Sequence, residues 1–238
     1  GGNTFSGFYF ASLPGEWGQG SNLDDELRSY GFADLPALIK SWDTNFAFSG
    51  PILRDRVWFY SNARTIGTYQ DVPGRYGNLN ASNANLWSYA KDDGVKVRNA
   101  NSKRIAATRL TWQASPRDKF GFYIDYTKNC SGSSYSKDRG QCRSPGHDWT
   151  ASGPGIGPGV PTTSPESGTI WDARAKIMQA SYSAPWSSRV LVEAGFSSFW
   201  TEWGDIRPVG SFVDRIPVTE QTSSDLTGTP TSNFIYHG

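Results

Sequence analysis

The chain of 238 residues is long enough for one large domain or two small ones with a sizeable core. Its 26 Gly and 14 Pro fall short of the roughly 25–30% that marks low-complexity disorder, and 23 basic against 22 acidic residues exclude a nucleic-acid partner held by a positive footprint. The longest strongly apolar cluster, Val57-Trp58-Phe59-Tyr60, is far from the ~20 residues of a membrane-spanning helix, but a transmembrane β-strand needs only ~9–11 with every second one apolar.

In chain order, Gly1-Gly2-Asn3-Thr4-Phe5 has no basic stretch leading into an apolar run, so no signal peptide is read there. A first strand is expected near 4–11. The connection 12–42 carries the helical signal: Asn22 as cap, Asp24, Asp25 and Glu26 in the first turn, Gly31 as the stop, and a second short turn over Leu35–Lys40. Further strands are expected near 43–50, 56–69, 103–114, 119–128, 172–184, 188–203 and 211–220.

Three tight turns separate these runs: Gly50-Pro51-Ile52-Leu53-Arg54-Asp55, Ser115-Pro116-Arg117-Asp118 and Ala184-Pro185-Trp186-Ser187-Ser188. Proline presets φ at each corner, and Asp or Ser bonds its own backbone. Between them lie long connections, 71–102, 129–170 and from 205 onward. Short turns at one end and long loops at the other are the asymmetry of an outer-membrane barrel; a soluble sandwich shows turns every 8–12 residues.

Alternation agrees with strands. Phe120, Phe122, Ile124 and Tyr126 interleave with Lys119, Gly121, Tyr123, Asp125 and Thr127. Ala106, Thr108, Leu110 and Trp112 interleave with Ala107, Arg109, Thr111 and Gln113. One face is apolar and the other small, polar or charged, a pattern shared by a barrel and by a soluble sheet resting on a core. Trp58, Tyr60, Trp112 and Trp186 near the turns, with Trp200 and Trp203 at the far end, suit interfacial girdles. Trp17, Trp87, Trp149 and Trp171 fall in or beside loops.

Candidate chemistry is sparse. Gly153-Pro154-Gly155-Ile156-Gly157-Pro158-Gly159 lacks the lysine of a phosphate loop, and its prolines remove N–H donors. His147 and His237 have no metal spacing. No catalytic residue, metal or cofactor is assigned, and no enzyme is expected. Arg109, Lys119, Asp125 and Glu193 lie on the polar face, where they would face a barrel lumen and either pair across strands or meet a solute. Cys130 and Cys142 flank a Ser- and Gly-rich stretch and are read either as a loop-stapling disulfide in an oxidising compartment or as two thiols. Such a staple would present Tyr135, Lys137, Arg139 and Trp149, the loop candidates for contact with a solute or partner.

Asp43-Thr44-Asn45, followed by Ser49-Gly50-Pro51-Ile52-Leu53-Arg54-Asp55-Arg56-Val57-Trp58-Phe59-Tyr60, resembles the D-x-N … G-G-P-I-x-K-D-R-x-W-F-F hairpin of TonB-dependent outer-membrane receptors, in the Oar-like branch that carries a carboxypeptidase-regulatory-like N-terminal domain. Gly1-Gly2-Asn3 looks like the end of the plug, Leu23–Gly31 like the short helix before the hairpin, and Arg109–Lys119 and Ser164-Pro165-Glu166 match in order and spacing. Ser49 stands where the family has the first glycine. The resemblance implies an all-β chain of about eight antiparallel up-and-down strands forming part of a transmembrane β-barrel: 1–11 the plug-to-barrel junction, 12–42 the connection, 43–238 hairpins and extracellular loops. It further implies a location in the bacterial outer membrane among its lipids, with the plug, the remaining barrel strands and the TonB system reached through a longer parent chain, and a solute that no residue identifies. The alternative is a secreted or soluble β-sandwich that binds glycan through exposed aromatic rings. It would bury the Phe120, Phe122 and Ile124 face, which a barrel would turn to lipid.

Overall fold

Tight hairpin turns bring consecutive strands side by side, so a chain punctuated by them builds a sheet in sequence order. The computed structural model describes residues 2–30, 37–132, 167, 170–206, 216, 218–220, 223–224, 230–231 and 234–236. Strands β1 (Ser6–Ser12), β2 (Leu38–Leu53), β3 (Val57–Asn78), β4 (Lys91–Gln113), β5 (Lys119–Gly132), β6 (Ile170–Ser187) and β7 (Val190–Ile206) form one seven-stranded sheet, each antiparallel to the next. Two small pairs lie apart from it: β8 (Val218–Glu220) with β11 (Phe234–Tyr236), and β9 (Ser223–Ser224) with β10 (Pro230–Thr231).

The turns at one end span only 54–56, 114–118 and 188–189. In the second, the Ser115 hydroxyl accepts from the Arg117 and Asp118 N–H groups and donates to the Asp118 carboxylate. In the first, Asp55 takes a left-handed φ of 63°, and the segment ahead of β1 holds it. Asn3 Oδ1 accepts from the Asp55 N–H at 3.0 Å and from Trp58 Nε1 at 3.2 Å, while Asn3 Nδ2 donates to the Asp55 carboxylate. Behind the turn the Phe5 ring stacks on Phe48 with centroids 5.7 Å apart and lies against Gly50, where a Cβ would collide with it. The neighbouring Ser49 fits because its small side chain donates to the Ser6 carbonyl.

At the other end the strands run further than alternation indicates. β3 and β4 pair, with register shifts between Asp71 and Gly77, out to Asn78 and Lys91, so the connection expected over 71–102 shrinks to 79–90. Here Gln70, Asp71, Asn99 and Asn101 lack an apolar period, but main-chain hydrogen bonding does not need one. Likewise β6 begins at Ile170, which puts Trp171 in a strand.

The connection before β2 also differs. Asp24, not Asn22, caps the helix α1 (Asp25–Ser29), because a cap oxygen must reach the third helical N–H and the Asp24 carboxylate accepts from Leu27 N at 2.8 Å. Leu38–Lys40, expected as part of a helical turn, is extended: Lys40 pairs with Tyr69, whose side chain is 1% exposed, and the Asp71 N–H donates to the Ala37 carbonyl. Gly31, Leu35 and most of the strand expected at 211–220 lie outside the described residues. Within that last range, Val218–Glu220 pairs with β11 and not with β7.

Register assigns the two faces. One row of directly opposed residues reads Gly50, Phe59, Leu110, Phe122, Ala180, Phe196 from β2 to β7; the next reads Phe48, Ser61, Thr108, Ile124, Met178, Ser198. Ser61 and Thr108 satisfy each other on this apolar face by a hydroxyl–hydroxyl hydrogen bond of 3.1 Å. Among the described residues no second layer covers it: Phe122 is 44% exposed, Ile124 43% and Met178 39%. Trp112, Phe120 and Tyr182 form a ring ladder near the turns, with centroids 5.3 and 5.1 Å apart, and Tyr126 and Trp200 stand toward the far end. Trp58, Tyr60 and Trp203 do not join these girdles. They pair with Thr111, Arg109 and Ala173 on the opposite face, because a one-residue offset along a strand reverses the side.

Candidate functional site

The polar face carries a groove of about 670 Å³ over the turn-proximal halves of β4 to β7. Its floor is set by small side chains that leave room between large ones: Gly121 opposes Thr111 and Ser181, and Ser181 opposes Gly195. Around this floor stand Arg109, Lys119, Tyr123, Gln179, Glu193 and Ser197. Three of the four polar-face candidates, Arg109, Lys119 and Glu193, therefore share one concavity. Asp125 lies on the same face outside the lining, where its carboxylate accepts from Tyr123 Oη at 3.3 Å and Thr127 Oγ1 at 3.1 Å.

Cross-strand pairing among these four charges does not occur. Register places Ser183 of β6 between Lys119 and Glu193, so their backbones stand ~10 Å apart, two strand spacings. Arg109 opposes Tyr123, one diagonal step from Asp125. Ion pairs form elsewhere, between Arg64 and Asp43 and between Lys91 and Asp93. The first is a two-point contact on the polar face, Nε to Oδ1 at 2.9 Å and Nη2 to Oδ2 at 2.6 Å, between residues diagonal in the β2–β3 register. Asn62 Nδ2 donates to Asn45 Oδ1 beside it at 2.6 Å. Sequence reading passed over this cluster because Asp43 and Arg64 meet only once the hairpin is in register.

Chemically the groove offers cationic donors from Arg109 and Lys119, an acceptor from Glu193, and amide and hydroxyl groups between them. That composition suits a polar surface or a hydrophilic ligand. Among the described residues no three His, Cys, Asp or Glu side chains gather as a metal site.

Cys130 is 5% exposed near the end of β5 and is disulfide-bonded. Cys142, the chain's other cysteine, lies outside the described residues, as do the loop candidates Tyr135, Lys137, Arg139 and Trp149. No protein-family model, curated protein or solved structure matches the chain.

Proposed function

We propose that this chain is the N-terminal part of the barrel wall of a TonB-dependent receptor that takes up a solute across a bacterial outer membrane. The observation that carries the reading is the seven-stranded meander whose tight turns all lie at one end and whose apolar face no other described residues cover. Strands β2 to β7 have 14–23 residues, more than the ~9–11 that cross a bilayer, so they would continue past the membrane on the side of the long connections. β1 and β7 each keep one unpaired edge in this sheet, and further strands of a parent chain would occupy them. The polar-face groove would then look into the lumen, toward a plug or a passing solute.

A glycan-binding sandwich would bury the Phe120, Phe122 and Ile124 face against a second sheet; Phe120 is half-buried between the Trp112 and Tyr182 rings, but the 44% and 43% exposure of Phe122 and Ile124 weighs against the sandwich. The test is site-directed spin labelling of the full-length protein in vesicles, one new cysteine at a time. Labels at positions 122 and 124 are expected to be open to oxygen and closed to a water-soluble nickel chelate, with the reverse at 121 and 123. Equal nickel access at all four positions would refute membrane insertion of this sheet.

A further inference from the structure

Counting register across four strands brings together charges that lie far apart in sequence. Arg104 opposes Lys128, Lys128 opposes Arg174, and Arg174 opposes Glu202. All belong to the apolar face, because the adjacent row on that face reads Ala106, Tyr126, Lys176, Trp200. With neighbouring strands ~4.8 Å apart, the backbones of Arg104, Lys128 and Arg174 fall within ~10 Å, and Lys176 stands one row nearer the turns. The carboxylate positions on this part of the face are Glu202 on β7, opposite Arg174, and Asp172 on β6, opposite Cys130, while the β4 and β5 positions of the row, Arg104 and Lys128, are both cationic. Lys128 and Arg174 also make contacts within the chain.

The position of the row along the strands gives it a meaning. Lys128 is eight residues from Phe120 on β5, which is ~27 Å along the strand, or roughly 19–22 Å along the membrane normal at a tilt of 35–45°. Apolar bands of barrels are ~25 Å tall. With Phe120 at one edge of such a band, the row lies within ~3–6 Å of the other edge, on the side away from the tight turns, a distance that long Lys and Arg side chains can span to the headgroups. Toward β2 and β3 the row continues with Thr44 and Thr65, polar but uncharged, so the charge is confined to one sector of the wall.

We propose that Arg104, Lys128 and Arg174, with Lys176, form a docking site for the phosphate groups of anionic lipid headgroups, an inference that rests on the barrel reading above. Like charges directly opposed across strands repel, and a phosphate beside them offsets that repulsion through charge-assisted hydrogen bonds.

The experiment titrates the full-length protein in non-ionic detergent with phosphatidylglycerol, and with phosphatidylcholine as the uncharged reference. In parallel the protein is reconstituted into phosphatidylcholine vesicles and its insertion read from heat-dependent electrophoretic mobility. The native protein is expected to insert and to bind phosphatidylglycerol at least ten-fold more tightly. R104Q, K128Q and R174Q should each weaken that binding about five-fold, as loss of one interfacial cation implies. The triple variant should bind both lipids alike, and K103Q, on the opposite face, should leave the preference unchanged. If the triple variant fails to insert, the single variants carry the same reading. A native protein that inserts but binds the two lipids equally, or a triple variant that inserts and keeps the preference, overturns the docking site alone. A native protein that does not insert overturns the barrel reading and the site with it.

Discussion

Replacing Ile124 by Arg tests the lipid-facing assignment most directly. Ile124 is four residues from Phe120 and four from Lys128 on β5, so it sits ~14 Å along the strand from the ring ladder on one side and from the cation row on the other. That is the mid-depth of the hydrocarbon. An arginine on the lipid face costs about 2–4 kcal/mol at mid-depth and about 0–1 kcal/mol near the interface. Were the same face in water, an exposed Ile→Arg change would fall within roughly 0.5 kcal/mol of neutral, since Ile124 is 43% exposed and no cavity is created. The assay is guanidinium unfolding of the full-length protein in vesicles, comparing the midpoints of I124R, Tyr126→Arg and the parent. The expected order is a large loss for I124R and a smaller one for Tyr126→Arg, one row from the Lys128 position. Equal costs at both sites, or no cost at Ile124, would refute the depth assignment.

Three further outcomes concern the turns. Asn3→Ala removes the hydrogen bonds to Asp55 and Trp58 and should cost about 1 kcal/mol, with faster hydrogen exchange at the Asp55 amide and earlier proteolysis ahead of β1. Gly50→Ala drives a methyl group into the Phe5 ring, so the Phe5–Phe48 stack should open at a cost of about 1–3 kcal/mol, read from the same unfolding midpoints. The Ser115 and Tyr182 hydroxyls donate to Asp118 and hold its carboxyl below the usual 3.8. Because the folded value is the lower one, the stabilisation is complete above 3.8 and is lost as pH falls through the folded value. Ser115→Ala should move the Asp118 titration upward by carboxyl NMR, and an unchanged titration would show that the turn does not hold the charge.

The tight turns and the identity of the paired strands were legible in the sequence, because a hairpin is a local object. Once Ser115–Asp118 is a turn, Gln113 opposes Lys119, and every later pair on β4 and β5 follows by counting. By that count the Arg104–Lys128 pair follows from this one hairpin, whereas Arg174 joins it only through the β5–β6 register, which no tight turn sets. Alternation identified the turn-proximal halves of the strands but not the outer halves of β3 and β4, where Gln70, Asp71, Asn99 and Asn101 interrupt the apolar period and register shifts break the ladder.

Tertiary structure alone decided what depends on chain segments meeting at a distance. Asn3 reaches a turn more than fifty residues away because β1 lies beside β2, and no local preference of either segment encodes that contact. The groove exists because Gly121, Ser181 and Gly195 fall in one row across three strands. Arg109, Lys119 and Glu193 share it without pairing, since strand spacing, which no single segment specifies, sets the separation of their charges.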